Sequence, residues 1–210
     1  MLLVEFQPVI DPAVNDRAIA LAKRLRARGL RGVRDIAPGY CTVGVQFDPL
    51  QTDLPALEHA IADEGEVVDA IETIAPGTPI EIHVEYGGSD GPDLDAVAAH
   101  AGCTAADVIE RHAAGLYRVY MLGFVPGFAY MGRVDASIAM PRHRVPRERV
   151  PAGSVGIAGE QTGVYPVASP GGWQLIGRTA SVMFDSGRTP PSLLAPGDLV
   201  RFVPQSGRRP

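Results

Sequence analysis

Residues 120–179 constrain the fold of this chain more than any other stretch. They read YMLGFVPGFAYMG, a short break, then PRHRVPRERVPAGSVGIAGEQTGVYPVASPGGWQLIGRT. Between Met121 and Arg178 stand ten of the 24 glycines and six of the 19 prolines, which rules out one long helix. The same stretch holds Val, Ile, Phe, Tyr and Trp in numbers that a disordered linker lacks. It must therefore be short strands joined by specified turns. Arg142, Arg147, Ser154, Gln161, Thr162, Tyr165, Gln174 and Arg178 sit among those turns. Polar side chains on a rigid, partly aromatic frame describe a small-molecule site or a tight partner surface.

The 210 residues suffice for one large or two small domains with a buried core. No apolar run is long enough to cross a membrane as a helix. The opening MLLVEFQPVIDP has neither a basic n-region nor a small-residue cleavage site, so a secretory leader is not expected. A cytoplasmic location is the expectation, with Cys41 and Cys103, which form no CxxC, as two buried thiols.

Residues 1–86 hold 7 basic and 14 acidic side chains, and residues 87–210 hold 12 and 10; −7 and +2 give the overall −5. An acidic chain is a poor nucleic-acid binder, because phosphate must be neutralised. Lys23 is the single lysine and falls on a helical pattern, which excludes a P-loop lysine and argues against Schiff-base or biotinyl-lysine chemistry. Any ATP in the reaction is then handled mainly by another chain.

The first 86 residues read as a β-α-β-β-α-β unit, the ferredoxin-like order. Its elements are a strand at Leu2–Phe6, a helix from Asn15 to Arg28, and a hairpin of 32–36 and 40–47. A helix capped by Asp53 follows, interrupted at Gly65 and reaching Ile74, and then a strand at 80–86 alternating Ile80, Ile82 and Val84 with Glu81, His83 and Glu85. GGSDGP at 87–92 marks the boundary, giving domains 1–86 and 87–210. Helices at 93–101 and 104–114 precede strands at 117–124, 154–157, 163–167, 173–176, 180–184 and 199–203, the pattern of a β-barrel.

Arg142, His143, Arg144, Arg147 and Arg149 place four arginines and a histidine in eight residues. This is either an anion-binding loop or a solvated one; the flanking Pro141, Pro146 and Pro151 favour a shaped loop. Ser154, in AGSVG, lacks the spacing of a nucleophile elbow and reads as a turn or ligand-bonding serine. The histidines show no metal spacing: His59, His100 and His112 fall on helices and His83 on a polar strand face, so no metal site is expected. Asp93, Asp95, Glu160 and Asp185 are acid–base candidates by location only. Phe124, Phe128, Tyr130, Tyr165 and Trp173 gather five of the 13 aromatics near the turns, as barrel core or as the wall of a site.

GFVPGFAYMG, PAGSVGIAGEQTGVYP and PGGWQLIGRT resemble the signature blocks of the family formed by the B subunit of 5-oxoprolinase, known also as allophanate hydrolase subunit 1 and KipI. YGGSDGPDL at 86–94, VAAHAG at 97–102 and APGDLVRFVP at 195–204 fit it too, so the resemblance spans nearly the whole chain. Two departures lie in the first 86 residues: LLVEF follows Met1 without the usual Gly-Asp segment, and His83 stands where a proline is usual. The resemblance implies an α+β protein, with an N-terminal ferredoxin-like domain and a C-terminal cyclophilin-like β-barrel. It implies two partners, the C subunit of 5-oxoprolinase with related cyclophilin-like barrels and the A subunit. It also implies ATP-driven opening of 5-oxo-L-proline to L-glutamate. It leaves open a KipI-like inhibitor of a sensor histidine kinase and an allophanate or urea amide-processing complex of the carboxyltransferase kind. On motif position, Arg142 and Arg147 are expected toward a substrate carboxylate or phosphate. Ser154, Gln161 and Thr162 are expected on an amide-like group, and Tyr130, Tyr165 and Trp173 as the wall. Catalytic residues are not assigned.

Overall fold

Asp11 and Pro12 start the first helix where local chemistry favours it. Oδ1 of Asp11 accepts from the backbone N–H of Ala13 (2.8 Å) and Val14 (3.2 Å), and Pro12 needs no donor at the first helical position. The computed structural model describes residues 1–69 and 77–205, and the chain divides into two compact units, Met1–Pro76 and Gly77–Pro210.

In the first unit, helix α1 (Pro12–Arg28) buries Val14, Ala18, Leu21, Ala22 and Leu25 and ends at Gly29, φ 57°. It begins three residues before the hydrophobic period that marks it in the sequence, because the cap rather than the period sets the start. Strands β1 (Leu2–Glu5), β2 (Val33–Pro38) and β3 (Thr42–Phe47) form an antiparallel sheet in the order β1-β3-β2. Helix α2 (Leu54–Asp69) runs unbroken through Gly65, against the expected interruption; its expected end at Ile74 lies outside the described residues. Arg24 and Arg28 of α1 pair with Glu64 of α2.

The strand expected to complete this unit belongs to the other one. β4 (Ile80–Tyr86) runs parallel to β12 (Leu199–Pro204), Ile82 opposite Phe202, and antiparallel to β11 (Gln174–Arg178), Tyr86 opposite Gly177. Alternation shows that β4 has one buried face but not what covers it, and its partners stand about a hundred residues downstream. The 1–86 and 87–210 division is corrected accordingly, and the first unit keeps three strands among the described residues.

The second unit adds helices α3 (Leu94–Ala101) and α4 (Ala105–Ala114), the latter held by a reciprocal cap between Thr104 and Asp107. Its further strands are β5 (Tyr117–Leu122), β6 (Ala129–Gly132), β7 (Arg147–Val150), β8 (Ser154–Ala158), β9 (Gln161–Val164) and β10 (Ser169–Gly171). Seven strands close into a barrel in the order β11-β4-β12-β5-β6-β9-β8; β7 and β10 pair outside it. The expected strand at 180–184 is reduced to a bridge between Phe184 and Ser192. Ile82, Val119, Met131, Val155, Ile157, Ile176 and Phe202 fill the interior. Cys41 and Cys103 are free and half-buried, not fully buried as expected.

One polar network crosses that interior. His112 is fully buried, its Nδ1 2.7 Å from Tyr86 Oη and its Nε2 2.9 Å from Thr162 Oγ1, with Phe202 stacked on the ring at 4.6 Å. Thr162 Oγ1 also donates to the Gly156 carbonyl at 3.0 Å. Burial pushes the imidazole down to about 3 and the Tyr86 phenol up, so His112 is neutral at ordinary pH.

Candidate functional site

Outside the barrel, Phe128, Val150, Ala158, Tyr165, Trp173 and Leu175 form a second, smaller core. Phe128 stands at its centre, edge-to-face with Tyr130 (4.8 Å), Tyr165 (5.3 Å) and Trp173 (5.3 Å). Edge-to-face contact places ring hydrogens on π faces, worth about 0.5–1.5 kcal/mol per pair beyond the area buried. Gly171 makes the packing feasible: a Cβ there would lie 2.3 Å from the Tyr165 hydroxyl.

These rings wall a cavity of about 250 Å³, completed by Phe124, Arg142, Pro146 and Pro170. The arginine loop is pinned over it from both sides. Gln174 Nε2 donates to the Pro141 carbonyl at 2.7 Å, and the His143 N–H donates to the Gly172 carbonyl at 2.7 Å. Arg142, between those anchors, holds its guanidinium 5.8 Å from the Trp173 ring. Phe124 stands at the rim with φ 68° and 60% exposure.

A second cavity, about 340 Å³, opens on the other side of β7 and is lined by Ser89, Asp90, Arg147, Arg149, Ser154 and Arg178 among others. Adjacent residues Pro146 and Arg147 thus face different hollows. Arg147 donates to Asp93 Oδ1 at 2.6 Å, while the Leu175 N–H donates to Oδ2 at 2.6 Å. His143 Nε2 lies 3.3 Å from the same Oδ2, close enough for an ion pair but poorly aligned for a hydrogen bond. Burial raises the Asp93 pKa, and the bonds from Arg147 and Leu175 outweigh it, holding the carboxyl below its ordinary range.

The expected site residues are therefore split. Tyr130, Tyr165, Trp173 and Arg142 line one cavity. Arg147 and Ser154 belong to the second cavity, and the Arg147 fork is already engaged by Asp93. Gln161 and Thr162 line neither cavity: Thr162 is fully buried on His112 and Gly156, and Gln161 pairs with Gly132 and Ala158 in the sheet. Ser154, Gln161 and Thr162 do not share one amide ligand, because successive strand residues face opposite ways and these strands curve around a closed barrel. Asp93 is a candidate in the sequence by location alone, and nothing local ties it to Arg147, 54 residues on. Arg149 has no usable periodicity with Arg147 in the sequence, where no strand is expected at 147–150; a spacing of two puts both on one strand face only once β7 is known.

A larger hollow of about 380 Å³ in the first unit is lined by Leu25, Arg26, Leu30, Val33 and Arg34 among others. Its arginines are engaged, Arg26 by the Ile36 carbonyl and Arg34 by Asp48 at 2.7 Å. Among the described residues no three His, Cys, Asp or Glu side chains come together as metal ligands.

A sequence profile of the carboxyltransferase domain, subdomain C and D, matches residues 1–194. A protein of Escherichia coli O157:H7, named as the B subunit of 5-oxoprolinase, is 44% identical over 207 residues, covering 97% of this chain and 92% of that one. A Bacillus subtilis (strain 168) protein of the same name is 38% identical over 216 residues, covering 96% and 88%. The crystal structure of TTHA0988 is similar over the full chain with a TM-score of 0.85 and 36% identity; this chain spans 40% of that protein's length.

Proposed function

The chain belongs to the carboxyltransferase subdomain C and D family, among relatives named as the B subunit of 5-oxoprolinase, and from that premise we propose that it is the B subunit of an ATP-dependent 5-oxoprolinase. It works with the A and C subunits in the cytoplasm, where ATP is available, and opens 5-oxo-L-proline to L-glutamate. The observation that supports this reading is the aromatic cavity with Arg142 over Trp173. A five-membered lactam bearing one carboxylate is flat, small and singly negative. Its ring fits against Tyr130, Tyr165 and Trp173, and its carboxylate against the Arg142 fork.

A lactam resists water because its nitrogen lone pair delocalises into the carbonyl. Phosphorylating the carbonyl oxygen with ATP releases ADP and makes the ring carbon electrophilic. Water adds there, and the C–N bond breaks with the nitrogen leaving as the amine. A second water displaces phosphate from the resulting acyl phosphate to give L-glutamate. This chain holds and orients the lactam. The nucleotide is bound mainly by the two partners, consistent with a single lysine, Lys23, on α1. The closed barrel supports a cyclophilin-like kinship, and the β1-β3-β2 sheet with two helices a reduced ferredoxin-like one. The names of the relatives favour a component of the enzyme over a kinase inhibitor or an allophanate-processing protein.

Reconstitution tests the reading. Purified chain alone should show no 5-oxoproline-dependent ATP hydrolysis, and adding the A and C subunits should restore it. Coupled turnover by the single chain, or turnover of urea or allophanate instead by the full set, rules it out.

A further inference from the structure

The second cavity has no part in the lactam reading, and its chemistry is different. Its walls come from three places. Arg147 and Arg149 project from one face of β7; Ser154 and Arg178 are cross-strand partners on β8 and β11; Ser89 and Asp90 come from the turn after β4. The backbone beneath is fixed. Gly153 sits at φ 83°, where an added Cβ would meet the Thr179 carbonyl oxygen at 2.2 Å. Its N–H donates to the Tyr165 carbonyl at 2.7 Å, and Thr179 N–H donates to the Gly153 carbonyl at 2.9 Å.

Donors here are under-used. The Arg149 guanidinium takes no partner among the described residues. Arg178 donates Nε to the Ala152 carbonyl at 2.9 Å, and its Nη1 stands 3.7 Å from Asp90. Ser154 is 2% exposed and lines the cavity floor. Three arginines against Asp90 and the Asp93 behind Arg147 leave one net positive charge.

We propose that this cavity is a binding site for a single phosphoryl group, borne by free phosphate or by a phosphorylated small molecule. One arginine fork satisfies the two coplanar oxygens of a carboxylate. Forks and a hydroxyl arriving from separate walls suit the tetrahedral oxygens of a phosphoryl group. One net charge matches a single phosphoryl group better than a polyphosphate tail.

The test is a thermal-shift titration of the full chain with inorganic phosphate, methyl phosphate and ATP, at ionic strength held constant with chloride. Inorganic phosphate should raise the melting temperature saturably. Arg149→Ala should weaken that affinity tenfold or more, with partial recovery in Arg149→Lys. Arg149 has no internal partner, so the variant should keep the wild-type circular dichroism spectrum. Arg142→Ala should leave phosphate affinity unchanged while weakening 5-oxoproline binding in the assembled enzyme, which separates this site from the lactam site. Arg149-dependent binding of methyl phosphate identifies a phosphorylated small molecule, and its absence identifies free phosphate. Equal phosphate affinity in wild type and folded Arg149→Ala, no saturable shift beyond chloride, or ATP bound more tightly than phosphate would each overturn the proposal.

Discussion

Arg147 Nη2 lies 2.6 Å from Oδ1 of Asp93, joining strand β7 to the start of helix α3 across 54 residues of sequence. The Asp93 side chain is 9% exposed and that of Arg147 30%. Truncating the arginine would leave a carboxylate in a poorly hydrated place with one backbone donor. Arg147→Ala should therefore lower stability in urea by about 1.5–3 kcal/mol. Asp93→Asn removes the orphaned charge, so the double variant should lose less than the sum of the two single ones. An Arg147→Ala protein with an unchanged urea midpoint would show that the pair contributes nothing.

The same pair sets an acid limit. Asp93 has a folded pKa below its unfolded value of about 3.9. Its stabilisation is complete above that unfolded value and is lost as pH falls through the lower, folded one. Asp93→Asn should thus flatten the most acidic part of the stability curve and lower its neutral-pH plateau, the difference from wild type in urea unfolding shrinking as pH falls through the folded pKa.

His112 acts in a higher window. Its folded pKa of about 3 lies below the ordinary 6.5, so the unfolded chain binds the extra proton between those values. Stability should rise with pH across this range, by at most roughly 1.4 kcal/mol per unit, and level off above about 6.5. His112→Gln should remove that slope. If the variant does not fold, nuclear magnetic resonance of the wild-type ring decides the point: the His112 signal should not titrate between pH 7 and 4. A midpoint near 6.5 would contradict the buried neutral ring.

Trp173 is the single tryptophan and walls the aromatic cavity. With this chain alone labelled with 5-fluorotryptophan, the fluorine resonance should shift when 5-oxoproline saturates the assembled enzyme. Arg142→Ala should raise the concentration needed by about tenfold to a hundredfold, the loss of one charge-assisted hydrogen bond. An unmoved resonance during turnover would place the lactam elsewhere.

Gly153→Ala combines a left-handed backbone with a 2.2 Å collision against the Thr179 carbonyl. Strain and overpacking together should cost about 2–4 kcal/mol. Gly29→Ala, at φ 57° with no atom within 4 Å of the added Cβ, should cost only about 1–2 kcal/mol. Similar unfolding midpoints for the two variants would refute the close approach at Gly153.

The sequence by itself determined the local chemistry of this protein. The Asp11-Pro12 start of α1, the Thr104 cap of α4, the glycine and proline turns and the strand alternation of 80–86 are written in neighbouring residues. So are the aromatic and arginine content of the cavity walls and the signature blocks that mark the family. Only the tertiary structure decided which strands pair. β4 left the first unit because its hydrogen-bond partners, β11 and β12, are far downstream, and alternation is silent about what lies opposite. The same limit separated Arg142 from Arg147 and seated Thr162 against His112. It also gave Arg147 a partner in Asp93. A side chain's neighbours across a closed barrel are fixed by register and curvature, which no spacing along the chain records.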